Sequence, residues 1–462
     1  MTTYLWALKL NPLICGKGSI MKNYIIYGAD ILTFDPAAAY LTGYALKVES
    51  GKISRIAPYA ELKDEHCESI NAEGKILMPG LINAHHHFYS TMVTGFGKAA
   101  SSGDFNEVLQ NLWWRLDKKL MQRDCYVSAA ISAINAIRSG CTTIIDHHAS
   151  PYHITGSLAS IAEAVRDTGI RANLCYEVSD RDGIERRDQG IEENLEFLKL
   201  YGEEQDEYIK ALFGMHAAFT LSDESLHKIA EIVVPAGFGI HIHAAEAQSD
   251  QRYNLDHHGK HVVERLADFA LINPKSILAH GVHLSPKEMM MVSELGAAIV
   301  TNPQSNLNNA VGIANVCKMT ELGITVGLGT DAMTVKMLEE LRVGLWAQHL
   351  RQDNPSAGFM EIASTLLFNN PRIAQKYWGA GHGTLTAGAN ADMILVDYDP
   401  HTPLNEETWI GHVIYGISQA RVDSTIVGGE FLMWDGSMLL GLDEAELRSE
   451  SRSLSQALWE RF

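Results

Sequence analysis

Pro79-Gly80-Leu81-Ile82-Asn83-Ala84-His85-His86-His87 is the stretch around which the rest of the sequence is arranged. Ile76-Leu77-Met78 leads into it and Phe88-Tyr89-Ser90 follows, so the segment reads as a buried strand that ends in three histidines. Alternate side chains of a strand share a face, which turns His85 and His87 one way and His86 the other. With about 7 Å between their Cα atoms, two such imidazoles can close on one metal ion. Solvated or hydrogen-bonded histidines would show the same spacing. Distant residues must complete the shell.

Outward from this strand, the interior alternates apolar strands with helical patterns. Candidate strands fall at 76–88, 141–148, 171–177, 209–217, 237–246, 276–282, 297–303 and 325–331. Eight strands separated by helices are the economy of an α/β fold, a (β/α)8 TIM barrel. A doubly wound sheet is the rival, but no Gly-rich phosphate fingerprint follows the early strands. The barrel is therefore expected over 76–381.

The flanks read differently. Short strands and turns fill 21–75, where Ser50-Gly51 between alternating runs marks a hairpin. The texture returns over 382–440, with strands expected at 391–399, 412–418 and 424–436 and a turn at Gly428-Gly429. The two segments are expected to pair into one small composite β-sandwich. Residues 441–462 read as a charged amphipathic helix. Residues 1–20 read as an extension that the fold does not need; their apolar runs are broken by Lys9, Asn11 and Pro12.

The 462 residues, 46% hydrophobic, are enough for a large core and a second domain. A formal charge of -19 argues against a nucleic-acid polymer or an anionic membrane as partner. The six cysteines form no Cys-x-x-Cys, which suits small buried hydrophobes in a reducing cytoplasm and excludes the cytidine-deaminase fold. A homo-oligomer, dimer or tetramer, is expected.

Polar residues gather at the strand ends: His85 and His87, Asp146, His216, His241, His243 and Glu246, His280, and Asp331. In a barrel these C-terminal ends share the face on which active sites lie. One such residue is commonly structural. Several in matching register point to a metal site.

PGLINAHHH, HIHAAE, ILAHG and LGTD resemble the amidohydrolase superfamily, in its cytosine-deaminase and chlorohydrolase-like branch, and the resemblance covers the whole chain. NLWWRLD (111–117), SGCTTIIDHHASP (139–151) and NLNNAVG (306–312) are similar to the SsnA group of aminohydrolases. That group has a non-histidine residue where this chain has His86. The resemblance implies His85, His87, His243 and Asp331 as ligands of one divalent metal ion, zinc or iron. It implies Glu246 as the proton shuttle and His280 as the residue that holds the water and polarises the substrate. Asp331 would also take a proton, and His216 matches a substrate contact. His241, deeper in its strand, is expected to pack. Binuclear relatives carry a carboxylated lysine at the end of the fourth strand, where this chain has Gly214-Met215-His216, while Lys210 lies at that strand's start.

The implied reaction is hydrolytic deamination of a small amino-substituted N-heterocycle, such as a purine, pyrimidine or cyclic amidine. Hydrolysis of a cyclic amide, removal of chloride, and a non-catalytic assembly role are the alternatives. Trp114-Arg115-Leu116-Asp117 has the Trp-x-x-Glu spacing of related deaminases with Asp in place of Glu, so Asp117 either grips ring N–H groups or pairs with Arg115 or a lysine on a helix surface. A pocket-facing Asp117 without a compensating cation would disfavour an anionic ring. Trp114 would wall the pocket, and Gln304 and Asn306 would contact substrate. His147 and His148 read as pocket-lining or as a helix entry, and 180–188 as a charged loop over the barrel mouth.

Overall fold

Gly80 separates two strands that the sequence runs together. Lys75–Pro79 pairs antiparallel with Met393–Asp397, whereas Leu81–His86 pairs parallel with Cys141–Asp146. A Cβ at Gly80 would lie 2.2 Å from the Thr142 side chain, so only glycine lets the chain pass from one sheet to the other here. The computed structural model describes residues 23–202 and 206–462. The expected extension over 1–20 lies outside the described residues.

The parallel strands form a (β/α)8 barrel. Ile209–Ala211, Arg171–Leu174, Cys141–Asp146 and Leu81–His86 are neighbours in that order. Phe213–Ala217, Ile240–Ala244, Ile277–His280, Ala298–Thr301 and Thr325–Leu328 follow one another in the other half. The fourth strand serves both halves: Ile209–Ala211 pairs with the third strand and Phe213–Ala217 with the fifth. On the other side a parallel bridge joins His86 to Asp331, and the N–H groups of Thr330 and Asp331 each lie 3.0 Å from the His85 carbonyl. Gly329 permits that contact, since a Cβ there would come within 2.8 Å of the His85 backbone nitrogen.

Helices such as Gln122–Arg138, Ser157–Thr168 and Asp223–Ala236 cover the barrel. Gln122–Arg138 buries small residues, Ala129, Ala130, Ala133 and Ala136, beside Ile134 and Ile137, which lets it lie close against its neighbours. Because helices cover them, the strands are buried almost throughout and read as continuous apolar runs.

Lys75–Pro79 and Met393–Asp397 sit in a seven-stranded sheet that draws on both ends of the chain. It faces a four-stranded sheet ordered Lys52–Pro58, Tyr44–Glu49, Asn23–Tyr27 and Glu68–Asn71. Tyr24, Ile26, Leu46, Val48, Leu77, Leu395 and Ile426 pack together between the sheets. Arg171 fastens this sandwich to the barrel. Its guanidinium is 2.7 Å and 3.1 Å from the two carboxylate oxygens of Asp392, and both side chains are buried.

One expected strand is a helix. Residues 412–418 fall in Trp409–Tyr415 and the 3-10 turn Ile417–Gln419. Trp409, Val413, Ile414 and Ile417 are buried at helical spacing, and the Tyr398 hydroxyl holds His412 Nδ1 at 2.7 Å. Strand pairing resumes with Arg421–Val427 and Glu430–Trp434 across Gly428-Gly429. The last helix, Glu444–Arg461, is capped by Asp443 and held to the barrel by Arg138–Glu444 at 2.6 Å. Among the described residues no helix is long and apolar enough to cross a membrane.

Candidate metal centre

The C-terminal strand ends bring His87, His243, His280, Glu246 and Asp331 to the floor of one cavity that opens to solvent, with His85 packed against them beneath it. His87 Nε2 is 2.9 Å from Asp331 Oδ1 and 3.2 Å from His243 Nε2, and His85 Nε2 is 3.6 Å from the same carboxylate oxygen. Ligands at zinc–nitrogen distances around a tetrahedral ion stand about 3.3 Å apart, close to these three separations, and the ligand atoms of His85, His87 and His243 all lie within 4.8 Å of one another, as do those of His85, His243 and Asp331. His85 Nε2 is buried and has no hydrogen-bond partner among the described residues.

Neighbours aim the imidazoles. His87 Nδ1–H donates to the His147 carbonyl at 2.6 Å, which leaves Nε2 facing Asp331. His85 Nδ1 contacts His241 Nε2 at 2.9 Å, so His241 orients a ligand instead of merely packing. His86 points outward as strand alternation requires. Its Nδ1 donates to the Asp331 carbonyl at 2.8 Å and its Nε2 accepts from Ser132 at 2.8 Å. Ser305 donates a short hydrogen bond to Asp331 Oδ2.

His280 has a different role from the other imidazoles. The amide nitrogens of Asn306 and Asn302 lie 2.9 Å and 3.3 Å from its Nδ1 and can only donate, so the ring proton stands on Nε2. That Nε2–H faces Glu246 Oε2 at 3.6 Å. His280 is thereby placed as a hydrogen-bond donor into the site, although its ligand atom also lies within 4.8 Å of those of His85, His243 and Asp331.

Backbone strain collects at the same place. Ala245, His280 and Asp331 are non-glycine residues with φ of 51°, 74° and 52°, a conformation that costs about 1–3 kcal/mol each. Left-handed turns directly after the strands fold Glu246 and Asp331 back over the barrel mouth.

The charges divide the work. Burial lowers His85 and His243, keeping them neutral and able to ligate. Burial opposes charge on His87 too, but the Asp331 carboxylate outweighs it and holds a proton there up to about 10. A divalent cation bound between them would take the place of that proton. Burial, and then Asp331, pushes the Glu246 carboxyl well above the usual carboxyl range, which favours its protonated form.

His216 lines the cavity, with Nδ1 2.9 Å from Thr220 Oγ1. Trp114 lines it as well. Asp117 is only 2% exposed and also lines the cavity, whereas Arg115 stacks on Phe462 and bonds its carbonyl; the surface pairing of Asp117 with Arg115 is not formed. Nor is Asp117 without a cation, since Arg181 Nη2 lies 3.5 Å from its Oδ2. Gln304 and Asn306 do not line the cavity. Asn306 stands behind His280, and the Gln304 backbone N–H donates to Glu340 at 2.8 Å, because Pro303–Asn308 forms a helix that turns both side chains away. His147 and His148 are fully buried outside the cavity, and Lys210 lies in Ile209–Ala211, away from the strand ends.

Sequence reasoning missed Glu177, although it ends the third strand's run in RANLCYE. Glu177 is buried in the cavity wall, its Oε1 3.4 Å from both His87 Nδ1 and His147 Nδ1. Burial pushes its carboxyl up to about 8. Arg181 was legible only as part of a charged loop.

Residues 76–432 match the amidohydrolase family, and the chain belongs to that family. It is 30% identical to the 5'-deoxyadenosine deaminase of Methanosarcina mazei over 445 residues, covering 95% of this chain and 99% of that protein. It is 30% identical to the 5-methylthioadenosine/S-adenosylhomocysteine deaminase of Thermococcus sibiricus, covering 90% and 93%. In fold it is similar to a zinc-bound adenosine deaminase from Xanthomonas campestris, with a TM-score of 0.84, 20% identity, and 94% and 98% of the two chains covered.

Proposed function

We propose that this chain is a metal-dependent aminohydrolase that releases ammonia from an amino-substituted N-heterocycle, with zinc as the resident ion. The observation that carries the reading is the placement of the Glu246 carboxyl 3.6 Å from His280 Nε2, beside the donor set of His85, His87, His243 and Asp331. The related deaminases extend over the same length of chain and support the same reaction class.

A divalent cation held by those four residues supplies Lewis acidity, bringing the pKa of water toward about 7. Asp331 accepts the water proton: burial works against its charge, but His85 and His87 outweigh burial and keep the carboxylate ionised. His280 Nε2–H orients the attacking oxygen and steadies the charge that develops on the attacked carbon's substituents. Glu246 gives its proton to the ring nitrogen, Asp331 passes the proton it took from water to the amino group, which leaves as ammonia, and the remaining hydroxyl proton returns to Glu246 as the carbonyl forms. His216 and Trp114 hold the ring plane against the floor. Cytoplasmic operation as a homo-oligomer completes the reading.

The test is ammonia release by the zinc-loaded chain across purines, pyrimidines, their nucleosides and cyclic amidines. Release of ammonia from one class in equimolar amount with product is the expected result. Ring opening without ammonia would assign the site to cyclic-amide hydrolysis instead.

A further inference from the structure

Beside the metal donors, the cavity lining carries four polar atoms that are buried and have no hydrogen-bond partner among the described residues. They are Asp117 Oδ1, Glu177 Oε1, Arg181 Nη1 and Trp114 Nε1. Three of the side chains are nine-tenths or more buried: Asp117 and Glu177 are 3% exposed and Arg181 10%. Tyr89 bears on Asp117 but does not bond its Oδ1. Unpartnered buried donors and acceptors are uncommon in folded proteins. Four lining one cavity form a surface built to be met by something polar.

Their order is informative. Arg181 is anchored on the Asp117 side, with Nη2 3.5 Å from Asp117 Oδ2 and Nε 3.0 Å from Ser179 Oγ. Its guanidinium lies 5.2 Å from the Trp114 ring centre. Nη1 is thus a fixed donor with a carboxylate acceptor beside it, and Glu177 supplies a second acceptor. Glu177 lies 3.4 Å from the ligand His87 and 3.9 Å from His216 Nε2, which puts it at the reacting ring itself and not at a distant substituent.

We infer that Asp117, Arg181 and Glu177 form a specificity site for a ureide edge, a ring carbonyl flanked by two N–H groups. The carbonyl oxygen accepts from Arg181 Nη1 while the flanking N–H groups donate to Asp117 and Glu177, with Trp114 Nε1 as a further donor to the oxygen. This inference rests on the heterocycle reading above and narrows it to oxo-substituted rings. An adenine ring without the oxo group presents nothing for Arg181 to donate to along such an edge, and the two carboxyl groups would lose a donor.

The experiment compares benzimidazole with benzimidazol-2-one, which differ only by the ureide edge and carry no leaving group, by titration calorimetry on the zinc-loaded full chain. The ketone form should bind at least tenfold tighter. That preference should shrink below threefold in Arg181→Gln and in Glu177→Gln at unchanged metal content. Binding of the two rings within twofold of each other, or of neither, overturns the inference. So does a ribose-dependent gain, with 5'-deoxyadenosine binding over tenfold tighter than both and the gain lost in Asp117→Asn, which would give the wall to a sugar. Ammonia release is read separately on adenine and 8-oxoadenine, the second expected at the higher kcat/KM. An intact benzimidazol-2-one preference with no ammonia from any ring would keep the ureide site and reject the deaminase reading.

Discussion

His87 Nδ1–H donates to the backbone carbonyl of His147 at 2.6 Å, tying the end of the first barrel strand to the end of the second. The bond settles which nitrogen of His87 faces Asp331 and makes the ligand geometry a property of strand register.

His85→Ala and His87→Ala should therefore lose the bound ion, while His86→Ala should keep it. Elemental analysis of the three purified variants checks this. His86→Ala should instead lose roughly 1–3 kcal/mol of stability, because the Ser132 hydroxyl and the Asp331 carbonyl lose a buried partner. Metal loss from His86→Ala alone would contradict the observed register.

Glu246→Gln should retain both metal and fold while turnover drops by roughly 10²–10⁴, the usual worth of a positioned acid. His280→Asn should behave in the same way. Turnover on whichever ring the ammonia screen identifies, normalised to metal content, decides the matter; a near-normal rate in Glu246→Gln would remove that residue from proton transfer.

Arg171 and Asp392 should be costly to separate. Arg171→Ala leaves a carboxylate buried without its counter-charge, and a loss of about 3–5 kcal/mol is expected from chemical denaturation. Burial works against the charge on Asp392, but Arg171 more than offsets it and lowers its pKa. A lowered folded pKa gives stability that is present above the ordinary carboxylate value and is lost as pH falls through the folded one. Asp392→Asn should accordingly flatten the acid limb of the stability profile, measured as Tm from neutral pH downward.

Glu340 should act with the opposite sign. Burial pushes its carboxyl up to about 8, so between the unfolded value near 4.5 and about 8 the folded chain holds a proton that the unfolded chain has released. Stability from this group therefore falls as pH rises through that window. Glu340→Gln keeps the acceptor for the Gln304 N–H and should reduce the decline in Tm between pH 5 and 8 relative to the parent chain. An unchanged slope would show that Glu340 ionises normally.

Much of the candidate site could be read before any contact was seen. His85, His87, His243, Glu246, His280 and Asp331 each fall at or just after the end of an apolar strand, and period-two alternation puts His85 and His87 on one face and His86 on the other; the turns at Ala245 and Asp331 that place Glu246 and Asp331 were not legible. Residues 412–418 show where that reasoning stops. A short apolar run with a glycine suits a strand or a buried helix, and only the packing of Trp409, Val413 and Ile417 against the barrel selects the helix.

The amino-acid sequence by itself determined the eight-strand order, the composite pairing of the two flanks and the residues gathered on the active face. Those follow from periodicity and from the one face that barrel strand ends share. Only the tertiary structure decided that His280 is a donor, that Asn306 stands behind it, and that Arg181 meets Asp117 in a wall completed by Glu177. These relationships join residues tens to hundreds of positions apart, and their tautomers, partners and burial are set by side chains that strand and helix periodicity does not bring together.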